Sequence, residues 1–328
     1  MNKVKEIIEK ANNKNKSRKL NILTFPTHER YETQLCKTGH NFYAVNARGG
    51  KKWKKEYASI PENYLIMPED KLLSYLSFDL ILAQSRFDQF NIAHRLRNIL
   101  KIPLISLEHT TPTPNLVASG QINAMREMVG DVNVFISEYS RSEWGIVYNS
   151  TVIKHSIDTK VFHNQKQSRE NKVLTVANDF INRDYCLNFT GWKDIVEGLD
   201  FTLVGDNPGL SEPTESVEKL VDIYNSHSVF LNSSTFSPIP KSVLEAMSCG
   251  CAVVSKATCM IPEVITHGVE GFISNDEKEL KKYTQQLLDD PELARKMGDN
   301  ARKKILADFR EDVFLEHWNQ TFEATRSL

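Results

Sequence analysis

The chain has 328 residues, is 40% hydrophobic and 25% charged, and carries a net charge of −1. That length fits two domains better than one, the composition is that of a soluble globular protein, and no apolar run approaches the ~18 residues a membrane span requires. The charge is uneven: residues 1–164 hold 23 Lys+Arg against 16 Asp+Glu, a net +7, and the remainder holds 18 against 26, a net −8, which suggests an anionic partner for the first half.

The N-terminus, MNKVKEIIEKANNKNKSRK, is basic and has no continuous apolar segment, so it does not read as a secretory signal. Val4, Ile7 and Ile8 have helical spacing, which allows a short solvated or membrane-touching helix; the plainer reading is a polar leader. Short apolar, β-branched runs then recur as strands at 21–26, 42–45, 79–84, 103–108 and 132–137. They continue at 150–156, 172–178, 200–205, 228–233, 252–256 and 271–274. Helical patterns fill the gaps at 88–100, 216–226, 241–249 and 278–290. Strands apolar on both faces that alternate with helices predict parallel sheets covered on both sides. The alternation pauses at HSIDTKVFHNQKQSRENK (155–172), which is polar and places a linker there. The expected architecture is α/β, two Rossmann-like doubly wound domains facing across a cleft. Their boundaries fall at 1–154 and 155–310, with 311–328 a C-terminal helix packing back towards the first domain.

The five cysteines, Cys36, Cys186, Cys249, Cys251 and Cys259, lack the two-residue gap of a zinc knuckle or redox motif. Cys249 and Cys251 flank Gly250 at a helix-to-strand turn, where small buried residues are expected, so no metal site is predicted. The odd count fits a reducing compartment and a cytoplasmic chain.

Ligands of doubly wound sheets sit outside the carboxyl ends of the strands, which points to four loops. After 228–233 comes STFSPIP and then the helix KSVLEAMSC. A helix N-terminus offers unpaired N–H groups and a positive dipole end, which suit phosphate. Pro238 and Pro240 stiffen the loop, Ile239, Lys241 and Ser242 keep their N–H groups, and Lys241 and Ser242 add side-chain donors; a plainly capped helix is the bland alternative. Glu245 lies one turn further in. After 172–178, Arg183 could clamp a diphosphate, and Gly205-Asp206 would line the same edge. In the first half, His109 follows the strand 103–108 as a hydrogen-bonding group near neutral pH. The loop after the first strand brings His28, Glu29, Arg30 and Glu32 to the cleft mouth, where they could hold an acceptor or supply base help. Neither a GxGxxG fingerprint nor a P-loop is present, so nicotinamide or ATP chemistry is unsupported.

The order of pieces from Asn232 to Asp276, LEAM on a helix, VVS on a strand, then PEVI and HGVEGFIS, resembles the donor-site signature of family 4 (group 1) glycosyltransferases. The likeness extends through VIKHSID, LVGDNPG and PELARKMGDNARKKI, and the compact opening THERYETQLCKTGHNFY is similar to small glycosyltransferases of phage genomes. The resemblance implies the GT-B fold and transfer from a nucleotide-diphosphate sugar, a UDP-sugar first, with retention at the anomeric carbon and without a metal. It implies that Glu245 bonds the nucleotide ribose, that Ile239, Lys241 and Ser242 face the phosphates, that Arg183 neutralises the leaving group, and that His109 contacts the sugar or the attacking hydroxyl. Two positions depart from the family pattern. Ser237 stands where the first glutamate of the E-x7-E pair belongs, and the usual basic pair after the first strand of the second domain reduces to Arg183, with Asn178 in the other place.

For the acceptor, the +7 half favours an anion. DNA carrying a hydroxymethylated base is one candidate: Lys51, Lys52, Lys54 and Lys55 would meet its phosphates, and Trp53 or Tyr57 would stack on a flipped base. A phage-encoded enzyme of that kind would work in the host cytoplasm. A lipid-linked or cell-surface glycan is the other candidate, without stable membrane insertion. A reading of another class is a degenerate, non-catalytic protein that binds sugar nucleotides or nucleic acid, suggested by Ser237.

Overall fold

A computed structural model describes residues 18–47, 49–55, 58–69, 71, 76–86, 88–112 and 118–328. Runs such as LILA and LISLE have no polar alternation, and in the structure every one of their residues is buried, as expected for parallel strands covered on both faces. The first sheet contains β1 (Asn21–Thr24), β2 (Asn41–Ala44), β3 (Tyr64–Ile66), β4 (Leu80–Ala83), β5 (Leu104–Glu108), β6 (Val132–Phe135) and β7 (Ser150–Val152). Its strand order is β3-β2-β1-β4-β5-β6-β7. The second contains β8 (Glu170–Val176), β9 (Phe201–Val204), β10 (His227–Asn232), β11 (Ala252–Ser255) and β12 (Gly271–Ile273), in the order β12-β11-β10-β8-β9. Every pairing is parallel; Ile22, for example, stands opposite both Phe42 and Leu80.

Twelve helices are described: α1 (Glu29–Cys36), α2 (Phe90–Leu100), α3 (Ser119–Arg126), α4 (Glu138–Trp144), α5 (Asp184–Leu187), α6 (Phe189–Val196), α7 (Val217–Ser226), α8 (Lys241–Cys249), α9 (Ile261–Val264), α10 (Glu277–Asp289), α11 (Pro291–Asp308) and α12 (Glu311–Arg326). Their starts follow local chemistry. Ser137, Ser216, Asp276 and Asp290 each accept an N–H from the first turn of the helix they open, which satisfies donors that a helix leaves orphaned. Gly250 closes α8 in the left-handed region at φ 84°, where glycine carries no Cβ penalty.

Each sheet has a core on both faces. Leu174, Phe230, Val243, Met247 and Ile305 fill one side of the second sheet, and Val173, Trp192, Leu231 and Leu287 the other. The chain crosses between the sheets through residues 153–169, where the Ile157 N–H donates to the Phe309 carbonyl at 3.0 Å. From there α12 returns to the first sheet. Phe314, Trp318 and Phe322 join the cluster of Tyr31, Leu35 and Phe42, and the Trp318 indole N–H donates to the Tyr31 hydroxyl at 3.0 Å.

The structure adds elements that the sequence pattern does not show, α1, α3, α4, α5, α6, α9 and β3. Residues 29–36 are helical rather than a loop, because the buried side of α1 includes Glu29 and Glu32 alongside Tyr31, Leu35 and Cys36, so no apolar period betrays it. The short edge strand β3 was not expected; two of its three residues are exposed. Residues 1–17, with the helical spacing of Val4, Ile7 and Ile8, lie outside the described residues, as do Arg48 and Tyr57. Among the described residues no helix is long and apolar enough to cross a membrane, and no group of three or more His, Cys, Asp or Glu is placed to hold a metal ion. All five cysteines are free and buried.

Candidate active site

The second domain meets the cleft with a braced turn. After β10, the Ser233 hydroxyl donates to the Leu187 carbonyl at 2.8 Å, and the N–H groups of Thr235 and Phe236 both donate to the Cys186 carbonyl at 2.9 and 3.1 Å. The Pro238 carbonyl accepts from the Met260 N–H at 3.0 Å. Pro240 then caps α8 without any side-chain bond. Among the described residues no acceptor meets the N–H groups of Ile239, Lys241 or Ser242, so the positive end of α8 is open. Lys241 reaches across the cleft and donates to Gln34 Oε1 on α1 at 3.4 Å. Burial lowers its ammonium to about 8, with Glu245 opposing and Arg30 adding to the drop. Glu245 is 6% exposed and accepts from the Tyr224 hydroxyl at 3.0 Å; burial raises its carboxyl, while the Lys241 charge pulls it back. Ser237 and Ser242 are half-buried beside them.

The neighbouring loops are more open. Asn178 Oδ1 accepts the Asp206 N–H at 2.8 Å. Gly205 holds φ 136°, and a Cβ there would stand 1.9 Å from the Ala177 carbonyl oxygen, so only glycine fits. Arg183 lies exposed on the turn before α5, and no hydrogen bond or ion pair joins it to Lys241 or to the histidines among the described residues.

The first domain answers with imidazoles. His28 and His109 ring centroids are 4.7 Å apart, Tyr31 sets its edge against His109 at 4.6 Å and against His155 at 5.3 Å, and His109 and His155 stack at 6.1 Å. All three imidazoles are kept neutral by burial first of all. His109 is held well below its usual range, with His28 and His155 adding to the effect. His155 falls to about 3, with Lys241 the next cause. His28 keeps open surface at the mouth, yet the protein on its other sides and the Lys51 charge lower it to about 4. The tautomer of His109 follows from its neighbour. Gln84 Nε2 faces three acceptors, Thr24 Oγ1, the Phe25 carbonyl and Glu32 Oε1, which leaves Gln84 Oε1 to accept from His109 Nε2 at 3.2 Å. Nδ1 is then the ring's free acceptor.

A buried frame positions this wall. Arg86 and Glu108, 1% exposed each, pair at 3.3 Å, and Glu108 Oε1 takes the N–H and hydroxyl of Thr110 at 2.9 and 2.7 Å, fixing the turn after His109. Two residues expected in the cleft mouth belong to the frame instead. Glu32 is 1% exposed and accepts from Tyr64, Gln84 and the Thr27 N–H. Glu29 is buried and accepts the Lys54 N–H at 3.1 Å, with Lys51 Nζ 3.8 Å away. Both turned inward because α1 is a helix. Arg30 stays exposed on the side facing α8. In the basic stretch, Lys52 pairs with Glu69 at 3.3 Å and Lys55 is exposed. Trp53 is not an open stacking platform: its ring packs 4.6 Å from Tyr64 and its indole N–H donates to the Ala58 carbonyl at 2.7 Å.

Sequence reasoning missed five contributors: Tyr31, Gln34, His155, Tyr224 and Glu263. His155 sat in a stretch read as linker, although HSID at its start belongs to the VIKHSID segment of the resemblance; it is 9% exposed, and its Nδ1 is buried without a partner. Glu263, from the PEVI segment, receives the N–H groups of Tyr139 and Glu138 at 2.6 and 3.3 Å and so caps α4 from the opposite domain.

Two Rossmann-like sheets with their strand ends facing across a cleft define the GT-B fold. Residues 212–304 match the model of the family described as glycosyl transferases group 1, which bears out the resemblance over its core stretch. Among solved structures, HepE of Anabaena in complex with UDP and glucose superposes with a TM-score of 0.76 at 13% identity, covering 93% of this chain and 100% of that one. N-acetyl-alpha-D-glucosaminyl L-malate synthase of Bacillus anthracis is 34% identical over 82 residues, 24% of this chain and 22% of that protein. Alpha-maltose-1-phosphate synthase of Mycolicibacterium smegmatis is 32% identical over 118 residues, 34% of this chain and 30% of that protein. The chain thus matches under a third of the length of these curated relatives.

Proposed function

We propose that this protein is a glycosyltransferase that moves a sugar from a UDP-sugar to a hydroxyl acceptor with retention of configuration. The observation that carries the reading is the open N-terminus of α8, with Lys241 beside it and His109 and His155 across from it. The diphosphate docks on the N–H groups of Ile239, Lys241 and Ser242, where dipole and cation favour it. Glu245 bonds the ribose, Gly205 and Asp206 line the nucleoside edge, and Arg183 swings to the phosphates. The bond between the anomeric carbon and the β-phosphate oxygen breaks, the acceptor oxygen bonds that carbon, and the acceptor's hydroxyl proton leaves with the diphosphate. His109, with Nδ1 free, holds a sugar or acceptor hydroxyl in line. His155 stacks on His109 at 6.1 Å between ring centroids and steadies that ring. Prepositioned donors in a water-poor cleft stabilise the charge that grows on the leaving group.

The UDP held by HepE and the alpha-linked products named for the two relatives support the donor and the retention. Lys51 and Lys52 each face a carboxylate and Trp53 is packed, so this stretch favours a glycan-type hydroxyl over hydroxymethylated DNA as acceptor. The test is incubation of the full chain with a panel of nucleotide sugars. Slow release of free sugar from UDP-sugars, reduced about 100-fold in His109→Ala, supports transfer chemistry; uptake without any hydrolysis supports the non-catalytic alternative.

A further inference from the structure

The Lys241 side does not account for all the space between the domains. A cavity of about 670 Å³ opens between α4 and the loops after β10 and β11, with Tyr139, Ser142, Thr235, Phe236, Thr258 and Cys259 in its walls. Both walls run into the reaction site. α4 is fastened to the residue after His109: Ser140 Oγ and Trp144 Nε1 donate to the Thr110 carbonyl at 2.9 and 3.0 Å. On the other side Thr235 and Phe236 lead directly into Ser237 and the start of α8.

The chemistry of the lining differs from that of the histidine wall. No lysine or arginine is among its residues. Its two carboxylates are already engaged, Glu138 with Arg141 at 2.7 Å and Glu263 with the α4 N–H groups. What remains is the rings of Tyr139 and Phe236, the small side chains of Ala257, Cys259 and Pro262, and the hydroxyls of Ser142, Thr235 and Thr258; the two threonine hydroxyls donate to the Cys186 and Ser234 carbonyls at 3.5 and 2.9 Å and keep their lone pairs to accept. An anion finds no cation there. An uncharged polyol finds apolar faces beside hydrogen-bonding groups, the usual mixture of a small-molecule site.

We propose that this cavity binds an uncharged saccharide, the sugar residue of the acceptor that presents the attacking hydroxyl. The inference rests on the glycosyl-transfer reading and divides its cleft. The acceptor enters along Tyr139 and Phe236, and the diphosphate leaves on the Lys241 side. The positive charge of the first half then serves the donor rather than the acceptor.

The experiment is saturation-transfer NMR on the full chain, with and without UDP, using a panel of uncharged methyl glycosides and short oligosaccharides against glucose 6-phosphate and L-malate. At least one uncharged saccharide is expected to bind and to stay bound in the presence of UDP. Ser142→Trp, which fills the cavity from an exposed position, and Phe236→Ala are expected to weaken it about tenfold, with UDP affinity held within about twofold. Preference for the anionic ligands, displacement of the saccharide by UDP, failure of every uncharged glycoside, or indifference to both substitutions overturns the proposal. Failure of UDP to bind the wild type counts instead against the glycosyl-transfer reading.

Discussion

On the second-domain side of the cleft the groups proposed to meet the ligand are main-chain N–H groups at the start of α8. On the first-domain side they are imidazoles collected from the β1–α1 turn, the end of β5 and the crossing segment. The first arrangement needs only a stiff turn and a helix, and a nine-residue stretch, Ser237–Glu245, spells it. The second needs a buried polar frame to hold side chains from distant segments, and no contiguous stretch spells that. Under the proposed function the division is sensible: a diphosphate is the same in every nucleotide sugar, so main-chain donors would suffice, whereas an acceptor would be met by side chains, which vary.

The largest effect should come from the frame. Glu108→Ala leaves the Arg86 guanidinium, 1% exposed, without its carboxylate, and removing one member of a buried pair costs about 3–5 kcal/mol. Urea unfolding measures it, and replacing both residues by Met and Leu should cost less. Next is the helix side: Lys241→Ala should lower turnover about 10²–10³-fold. The Lys241 ammonium titrates at about 8, so it is charged below that value. UDP affinity should therefore fall as pH rises through about 8, above the ionisation of the UDP phosphate at about pH 6, whereas Lys241→Arg, charged throughout, should show no such fall. Calorimetry across pH separates the two.

Glu32 tests the frame by titration. Burial raises its folded value from 4.5 to about 7, so the folded state holds the proton more tightly than the unfolded chain. The stability this contributes is present at acid pH and is lost as pH rises from about 4.5 through 7, up to about 3 kcal/mol. Glu32→Gln should remove that slope, and unfolding at pH 5.5 and pH 8 reads it. The smallest effect belongs to the link between the faces. Glu263→Gln keeps a cap on α4 but removes the charge, worth about 0.5–1 kcal/mol, which thermal unfolding at low and high salt would show.

The same contrast explains what could be read from the sequence. Eleven of the strands and the helices over 241–249 and 278–290 follow from apolar runs and period. α1 escaped because Glu29 and Glu32 occupy its buried side, and β3 because two of its three residues face water. Lys241 and Glu245 were legible as a helix start and its second turn. Gln34 and Glu263 were not, since each acquires its partner only when the two domains meet, and nothing local marks a cap supplied from another domain; His155 was not, since the rings it packs against, Tyr31 and His109, come from distant segments.

The most direct test of the account is a crystal structure of the full chain with UDP. The expected result places the diphosphate oxygens within hydrogen-bonding distance of the N–H groups of Ile239, Lys241 or Ser242, with Lys241 Nζ turned from Gln34 to phosphate and the ribose on Glu245. A UDP molecule held elsewhere in the cleft, or an α8 N-terminus left empty at saturating UDP, would contradict it.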